Sequence, residues 1–218
     1  MNFMIVKRII TGFLRENGYI VHEKGGKSCY IIDPGQDSHE YEEYTEENSL
    51  IVKGILLTHH HDDHMGAVSD LKVVFSCPDF IGYEEGNYYG IKADFYIKDG
   101  DMLKLDGKSL KAFLTKGHTA GSLCFYAEDE KICFTGDTVF NVDLGRTDLK
   151  GGSYEDMKNS IINIVDKWDD STEIYPGHGD PCSMEFVRGN NFEYIHILKE
   201  GKRREGINEE NQAGGFRS

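Results

Sequence analysis

The segment Thr58-His59-His60-His61-Asp62-Asp63-His64 packs imidazoles and carboxyl groups directly behind the run LIVKGILL, residues 50 to 57. Such a run suits a buried strand, so the polar cluster must emerge where that strand ends. In extended geometry His59, His61 and Asp63 project to one side, and a tight turn brings His64 round as well. Imidazole combined with carboxylate suits zinc and its first-row neighbours, and the segment offers more donors than one four-coordinate zinc uses. Two metals are the natural reading. A solvated His/Asp run that chelates metal only incidentally is the bland alternative, and the segment alone does not separate the two.

Further along the chain stand His118 in Lys-Gly-His-Thr-Ala-Gly-Ser, Asp137 in Phe-Thr-Gly-Asp-Thr and His178 in Tyr-Pro-Gly-His-Gly. Each falls in a turn after or between predicted strands, where one sheet edge can collect it. Glycine beside each permits the tight backbone that a ligand loop needs.

Strand patterns cover Met4 to Phe13, Gly18 to Glu23 and Ser28 to Ile32, the last stopped by Asp33-Pro34-Gly35. An acidic, tyrosine-bearing stretch from Asp37 to Asn48 reads as a solvated helix. After the histidine cluster we expect a short helix over Met65 to Leu71, a strand over Lys72 to Phe75, and an aromatic loop or helix over Pro78 to Gly90. A second batch of strands follows: Met102 to Leu105, Ser109 to Thr115, Ser122 to Ala127 and Lys131 to Thr135. Ser153 is placed to cap a helix carrying Met157, Ile161, Ile164, Val165 and Trp168 on one face, and a last strand, Glu173 to Tyr175, ends at the His178 turn. Two strand-rich batches, each followed by helices, suggest two packed sheets with helices outside, although periodicity leaves other α/β arrangements open.

A length of 218 residues suits one domain over residues 1 to 200, followed by a charged tail from 201 to 218 that is expected to be mobile. The net charge of −14 repels phosphate backbones and anionic membranes, which argues against a nucleic-acid partner. The five cysteines are odd in number and widely spaced, so they read as free thiols in a reducing compartment. Lys7 and Arg8 interrupt the early apolar stretch, and no run approaches the roughly 20 apolar residues of a membrane span. A soluble cytoplasmic protein is expected.

In order and surroundings these motifs resemble the metallo-β-lactamase superfamily from about Asn17 to about residue 190. The match rests on Asp33-Pro34-Gly35, the H-x-H-x-D-H run, Gly-His-Thr-x-Gly-Ser, Thr-Gly-Asp-Thr and Tyr-Pro-Gly-His-Gly. Gly145-Arg146-Thr147-Asp148-Leu149 and Gly151-Gly152-Ser153 look like the glyoxalase II-like branch of small thioesterase-type hydrolases. The resemblance implies an αββα sandwich with two mixed sheets and two divalent metal ions at one edge, zinc first, with iron or manganese as alternatives. It implies that His59, His61 and His118 hold one ion, that Asp63, His64 and His178 hold the other, and that Asp137 bridges them.

Water shared by two such ions loses a proton near neutral pH, so hydroxide is the expected nucleophile, with Asp63 and Asp137 as catalytic carboxylates. No strong general acid accompanies the ligands, which favours a thiolate leaving group and a small-molecule thioester or ester substrate. β-Lactamases of the commonest zinc class carry Cys where Asp137 stands, which turns the expectation away from antibiotics. Persulfide dioxygenases with a single iron share the fold and the His/Asp motifs and form the rival reading. His60 and Asp62 are either exposed or supporting residues, and Asp33 either a turn former or a partner of a ligand imidazole. Arg146 is open to a substrate carboxylate or to a salt bridge with Asp143 or Asp148. Phe80, Tyr83, Tyr88 and Tyr89 line the substrate mouth or pack their loop, Cys182 reads as a bystander, and His22, His39 and His196 are read as ordinary.

Overall fold

Successive strand residues face opposite sides of a sheet, and in this chain both sides are apolar. Along the second strand Tyr19 and Val21 join one buried cluster and Ile20 another; along a later strand Phe125 belongs to the first, and Cys124 and Tyr126 to a third. Strands of this kind need cover on both faces. The computed structural model, which describes residues 3–201, supplies that cover as helix, sheet, sheet, helix.

The first sheet places its strands in sequence order. β1 (Met4–Thr11), β2 (Glu16–Glu23) and β3 (Ser28–Ile32) form an antiparallel meander, and β4 (Ile51–Leu56), β5 (Asp79–Gly82) and β6 (Phe95–Ile97) continue it in parallel. In the second sheet β7 (Met102–Leu105), β8 (Lys108–Leu114), β9 (Leu123–Ala127) and β10 (Ile132–Gly136) are antiparallel neighbours. There β11 (Glu173–Pro176) pairs parallel with β10, and β12 (Cys182–Ser183) closes the edge. Both sheets are thus mixed.

Between them lies a core of Tyr19, Val21, Ile32 and Leu56 against Ala112, Leu123, Phe125 and Phe134. On the outer face of the first sheet, Ile20, Ile31 and Ile55 pack on Tyr41 of α1 (His39–Glu47) and on Val68 and Leu71 of α3 (Val68–Phe75). Outside the second sheet, Cys133 and Ile174 meet α5 (Tyr154–Asn163), α6 (Met184–Asn190) and α7, which spans 192–201. Ser153 caps α5 as expected, its hydroxyl accepting the Asp156 N–H at 3.2 Å. Met157, Ile161, Val165 and Trp168 are buried along that face.

Several local expectations change. Lys72 to Phe75 is the last part of α3 and not a strand. Its Val73 and Val74 are 80% and 49% exposed, and β-branching there yields to the burial of Val68 and Leu71 one helical turn earlier. Pro78 to Gly90 resolves into β5 followed by α4 (Tyr83–Tyr89). Glu173 to Tyr175 is followed by β12, so it is not the last strand. The three-residue β6, too short to show alternation, lies where no strand was expected. Phe80 is stacked on Phe95 at 5.1 Å and packs against the core between the sheets, away from any substrate mouth. All five cysteines are free. No helix among the described residues is long and apolar enough to cross a membrane. The tail beyond residue 201 lies outside the described residues.

Candidate metal centre

β4, β10 and β11 deliver the motif residues just past their C-terminal ends, and the β8 to β9 turn adds His118. His61 itself is extended, with φ −66° and ψ 143°, but the chain already bends at Thr58 and His59, and α2 (Asp62–Met65) begins at the next residue. Asp63 therefore does not join His59 and His61 as uniform extension predicts. Nitrogens of His59 and His61 converge instead with His118, and Asp63 with His64 and His178, the donor atoms in each group lying within 4.8 Å of one another.

Three of the rings are held by their far sides. Thr58 Oγ1 lies 3.0 Å from His59 Nδ1, and the carbonyl oxygen of Arg146 lies 2.8 Å from His118 Nδ1. Asp33 Oδ2 lies 3.2 Å from His64 Nδ1. These contacts leave the Nε2 atoms of all three rings turned inward. His118 Nε2 is 3.0 Å and His59 Nε2 3.1 Å from His61 Nδ1. Asp33 itself accepts the Thr58 N–H at 2.7 Å and the Thr58 hydroxyl at 2.6 Å. The plain turn reading of Asp33 gives way to the reading in which it supports a ring.

Asp137 stands between the two groups. Its Oδ1 is 3.4 Å from His64 Nε2, and its Oδ2 is 3.6 Å from His118 Nε2 and 3.7 Å from His178 Nε2. Asp63 Oδ2 lies 3.3 Å from His178 Nε2. The approach is close enough that residue 177 has to be glycine: a Cβ there would sit 2.3 Å from Asp137 Oδ1 and 2.5 Å from His64 Cε1.

Electrostatics report what the cluster lacks. Burial pushes His59 well below the ordinary imidazole range, and burial together with the neighbouring imidazoles takes His61 down to about 4, so both are neutral at pH 7. Burial opposes charge on His64 too, yet Asp137 and Asp33 outweigh it and hold the ring well above its usual range. A hydrogen bond to His178 lowers Asp63 to about 2, and the same contact raises His178. His64 Nε2 and Asp137 Oδ1 are nonetheless buried with no hydrogen-bond partner. Neutral imidazoles converging nitrogen to nitrogen, carboxylates demanding positive charge, and orphaned buried donor atoms together fit divalent cations.

A profile described as the Metallo-beta-lactamase superfamily matches residues 11–178. The chain belongs to that superfamily. Its superfamily relatives include an uncharacterized protein of Mycobacterium leprae, 32% identical over 83% of this chain and 94% of its own length. A hydroxyacylglutathione hydrolase of Francisella tularensis is 31% identical over 80% of this chain and 68% of its own length. A probable polyketide biosynthesis zinc-dependent hydrolase, BaeB, of Bacillus velezensis is 31% identical over 91% and 89%. Among solved superfamily structures, BLEG-1, described as a B3 metallo-beta-lactamase, superposes with a TM-score of 0.80 at 28% identity, covering 87% of this chain and 99% of that one. TTHA1623 in a di-iron-bound form gives 0.73 at 25% identity over 85% and 98%.

Other supports in this superfamily member were invisible in sequence. Asn17, fully buried, donates its side-chain amide to the carbonyls of Pro176 and Gly179 at 2.9 and 2.8 Å, and Tyr19 OH donates to Pro176 O at 2.6 Å. These bonds span the sheets and pin the His178 loop; the spacing of some 160 positions leaves no local signal. Glu16 lies behind His64, with Oε1 3.8 Å from His64 Nδ1 and no hydrogen-bond partner, and burial raises its pKa to about 9.

That shift has a testable sign. Folded Glu16 keeps a proton that the unfolded chain releases above its ordinary 4.5, so its contribution to stability is full below that pH and declines as the pH rises toward 9. In urea unfolding of chelator-treated protein, Glu16→Gln is expected to gain on wild type between pH 5 and pH 9, and a constant difference would refute the assignment.

His60 packs its ring 3.8 Å from that of Tyr89 and bonds to Glu85, whereas Asp62 is solvent-exposed. Arg146 forks onto Asp148 at 2.7 and 2.8 Å, so the salt-bridge reading describes its side chain. Cys182 is half-buried in β12. A cleft of about 990 Å³ opens above His118, Asp137 and His178, walled by Phe140, Leu144 and Tyr154 and by Phe192 and His196 of α7. His196, read as ordinary, thus faces the cleft. His22 is buried against Tyr44, and His39 is exposed at the start of α1.

Proposed function

We propose that the chain is a dinuclear metallohydrolase acting on a small thioester or related ester. The observation that carries this reading is the position of Asp137, whose Oδ2 lies between His118 Nε2 and His178 Nε2, one from each donor group, while its Oδ1 faces His64. His59, His61 and His118 would hold one ion, Asp63, His64 and His178 the other, and Asp137 both. Zinc is the ion favoured by this donor set, with iron or manganese as alternatives. Ions bound there supply an activated water and an electrophile for the substrate carbonyl.

The chain's own residues do the rest. Asp33, Thr58 and the Arg146 carbonyl fix which nitrogen of His64, His59 and His118 faces inward, and Asp137 at the cleft floor and Asp63 beside His178 present carboxyl oxygens to orient water. Phe140, Leu144 and Phe192 give an acyl group an apolar wall. His59 and His61 are neutral at pH 7 and keep only the single N–H of a neutral imidazole, which is not an acid at that pH, and an Nε2 atom of His64 or His178 carries either a proton or a metal bond, not both. No imidazole of the cluster is then free to protonate a departing amine. A thiolate leaves without that help, which favours thioesters over amides. The relatives named as a hydroxyacylglutathione hydrolase and a zinc-dependent hydrolase support the same direction.

Elemental analysis of freshly purified protein, beside turnover of a thioester panel and a chromogenic β-lactam, tests the reading. Two ions per chain and thioester turnover are expected. One iron with sulfur-dependent oxygen uptake would replace it with the persulfide dioxygenase, and faster β-lactam cleavage would overturn the choice of substrate.

A further inference from the structure

Glu85 belongs to no motif, yet it lies between the two loops that carry the three-histidine group. It sits in the first turn of α4 and is fully buried. Its Oε1 accepts the backbone N–H of His60 at 3.2 Å and lies 2.6 Å from His60 Nδ1, so it grips the residue between His59 and His61 by main chain and side chain together. Its Oε2 accepts the hydroxyl of Thr119, next to His118, at 2.9 Å. Because that hydroxyl gives its one proton to Glu85, Ser122 Oγ, 2.6 Å away, must donate to Thr119, while the Thr119 N–H donates to Ser122 Oγ at 3.2 Å. Both carboxyl oxygens are thereby used, one on each loop.

Packing reinforces the link. A Cβ at Gly121 would lie 2.1 Å from Glu85 N, so the His118 loop rests directly on the α4 backbone. The ring of Tyr89, one helical turn on, covers that of His60 at 3.8 Å and an interplanar angle of 32°. The other donor group, Asp63, His64 and His178, has its own supports in Asp33, Asn17 and Tyr19, and Glu85 bonds to none of them.

We infer that Glu85 is a positioning residue for one ion only: a buried strut that sets the spacing of His59 and His61 against His118. This rests on the reading that those three histidines hold an ion. Outer partners of ligating residues contribute roughly 10–100-fold in metal affinity, and a strut that sets loop spacing while leaving each ring's own hydrogen bond in place belongs at the lower end.

Cobalt(II) titration of chelator-treated full-length protein, followed by visible absorption, tests it. Wild type should show two binding phases, and His118→Ala identifies the phase of the three-histidine site. Glu85→Ala is expected to weaken that phase about tenfold and leave the other unchanged. Glu85→Gln should behave as wild type, because an amide can accept from His60 and donate to Thr119, whose hydroxyl then turns to Ser122. Thr119→Val, which removes a single hydroxyl, should produce a smaller loss in the same phase and decides the matter if Glu85→Ala does not fold. Wild type that takes up no cobalt would refute the metal site and the strut with it. Two wild-type phases that Glu85→Ala leaves unchanged, or weakens equally, would overturn the strut alone.

Discussion

Asp137→Ala is expected to lower hydrolysis on the order of 10³-fold while the protein stays folded. Metal ions that polarise a carbonyl and activate water contribute several kcal/mol to the barrier, and each 1.36 kcal/mol is tenfold in rate. The Asp137 carboxyl faces three imidazoles at once: His64 on one oxygen, His118 and His178 on the other. On the proposed dinuclear reading, its loss would remove the shared ligand and leave each ion dependent on a separate triad. The fold should survive because the packing of β10 rests on Cys133 and Phe134 in the two cores flanking that strand. Turnover and metal content of the variant, with circular dichroism as the control for folding, check the claim. Turnover within tenfold of wild type would remove Asp137 from the chemistry.

The second large effect is expected at Asp33, which touches no substrate. Asp33→Asn keeps the shape and still accepts the Thr58 N–H, but its amide NH₂ would replace Oδ2, the atom that now meets both the Thr58 hydroxyl and His64 Nδ1. The hydroxyl can rotate to accept. The imidazole cannot present Nδ1–H to a donor, so its proton moves to Nε2, the atom needed inside the site. We expect the ion held by Asp63, His64 and His178 to bind about 100-fold more weakly, at the upper end for an outer partner because the ligand atom itself is blocked. The three-histidine site should change little. Metal stoichiometry under chelator competition distinguishes the two sites, and equal weakening of both would show that Asp33 merely supports the fold. Asp33 has φ +46°, a conformation that Asn tolerates as well as Asp does, so the backbone gives no separate reason for failure.

Part of the fold and site was legible in the residues. The turns that carry the candidate ligands were, because an apolar strand followed by His-x-His, Gly-His or Gly-Asp has few structural meanings, and β4, β8, β10 and β11 lie where their patterns place them. Lys72 to Phe75 misled, because a β-branched run is weak evidence beside an amphipathic turn that already buries Val68 and Leu71. Uniform extension alone would set Asp63 beside His59 and His61, and nothing local announces that α2 starts at Asp62; the grouping of Asp63 with His64 and His178 is the one the family resemblance implies.

Glu16, Asn17 and Glu85 carry no pattern at all. Each acts on a segment distant in the chain, Asn17 across 159 residues to Pro176 and Glu85 across 34 to Thr119. The chain's own order of residues determined which donors exist and which strands deliver them, because hydrophobic alternation and ligand chemistry are local properties. Which donors converge, which nitrogen a ring turns inward, and that Glu85 reaches both histidine loops were decided only when two sheets closed face to face, because burial and hydrogen bonding between distant segments are properties of the packed molecule alone.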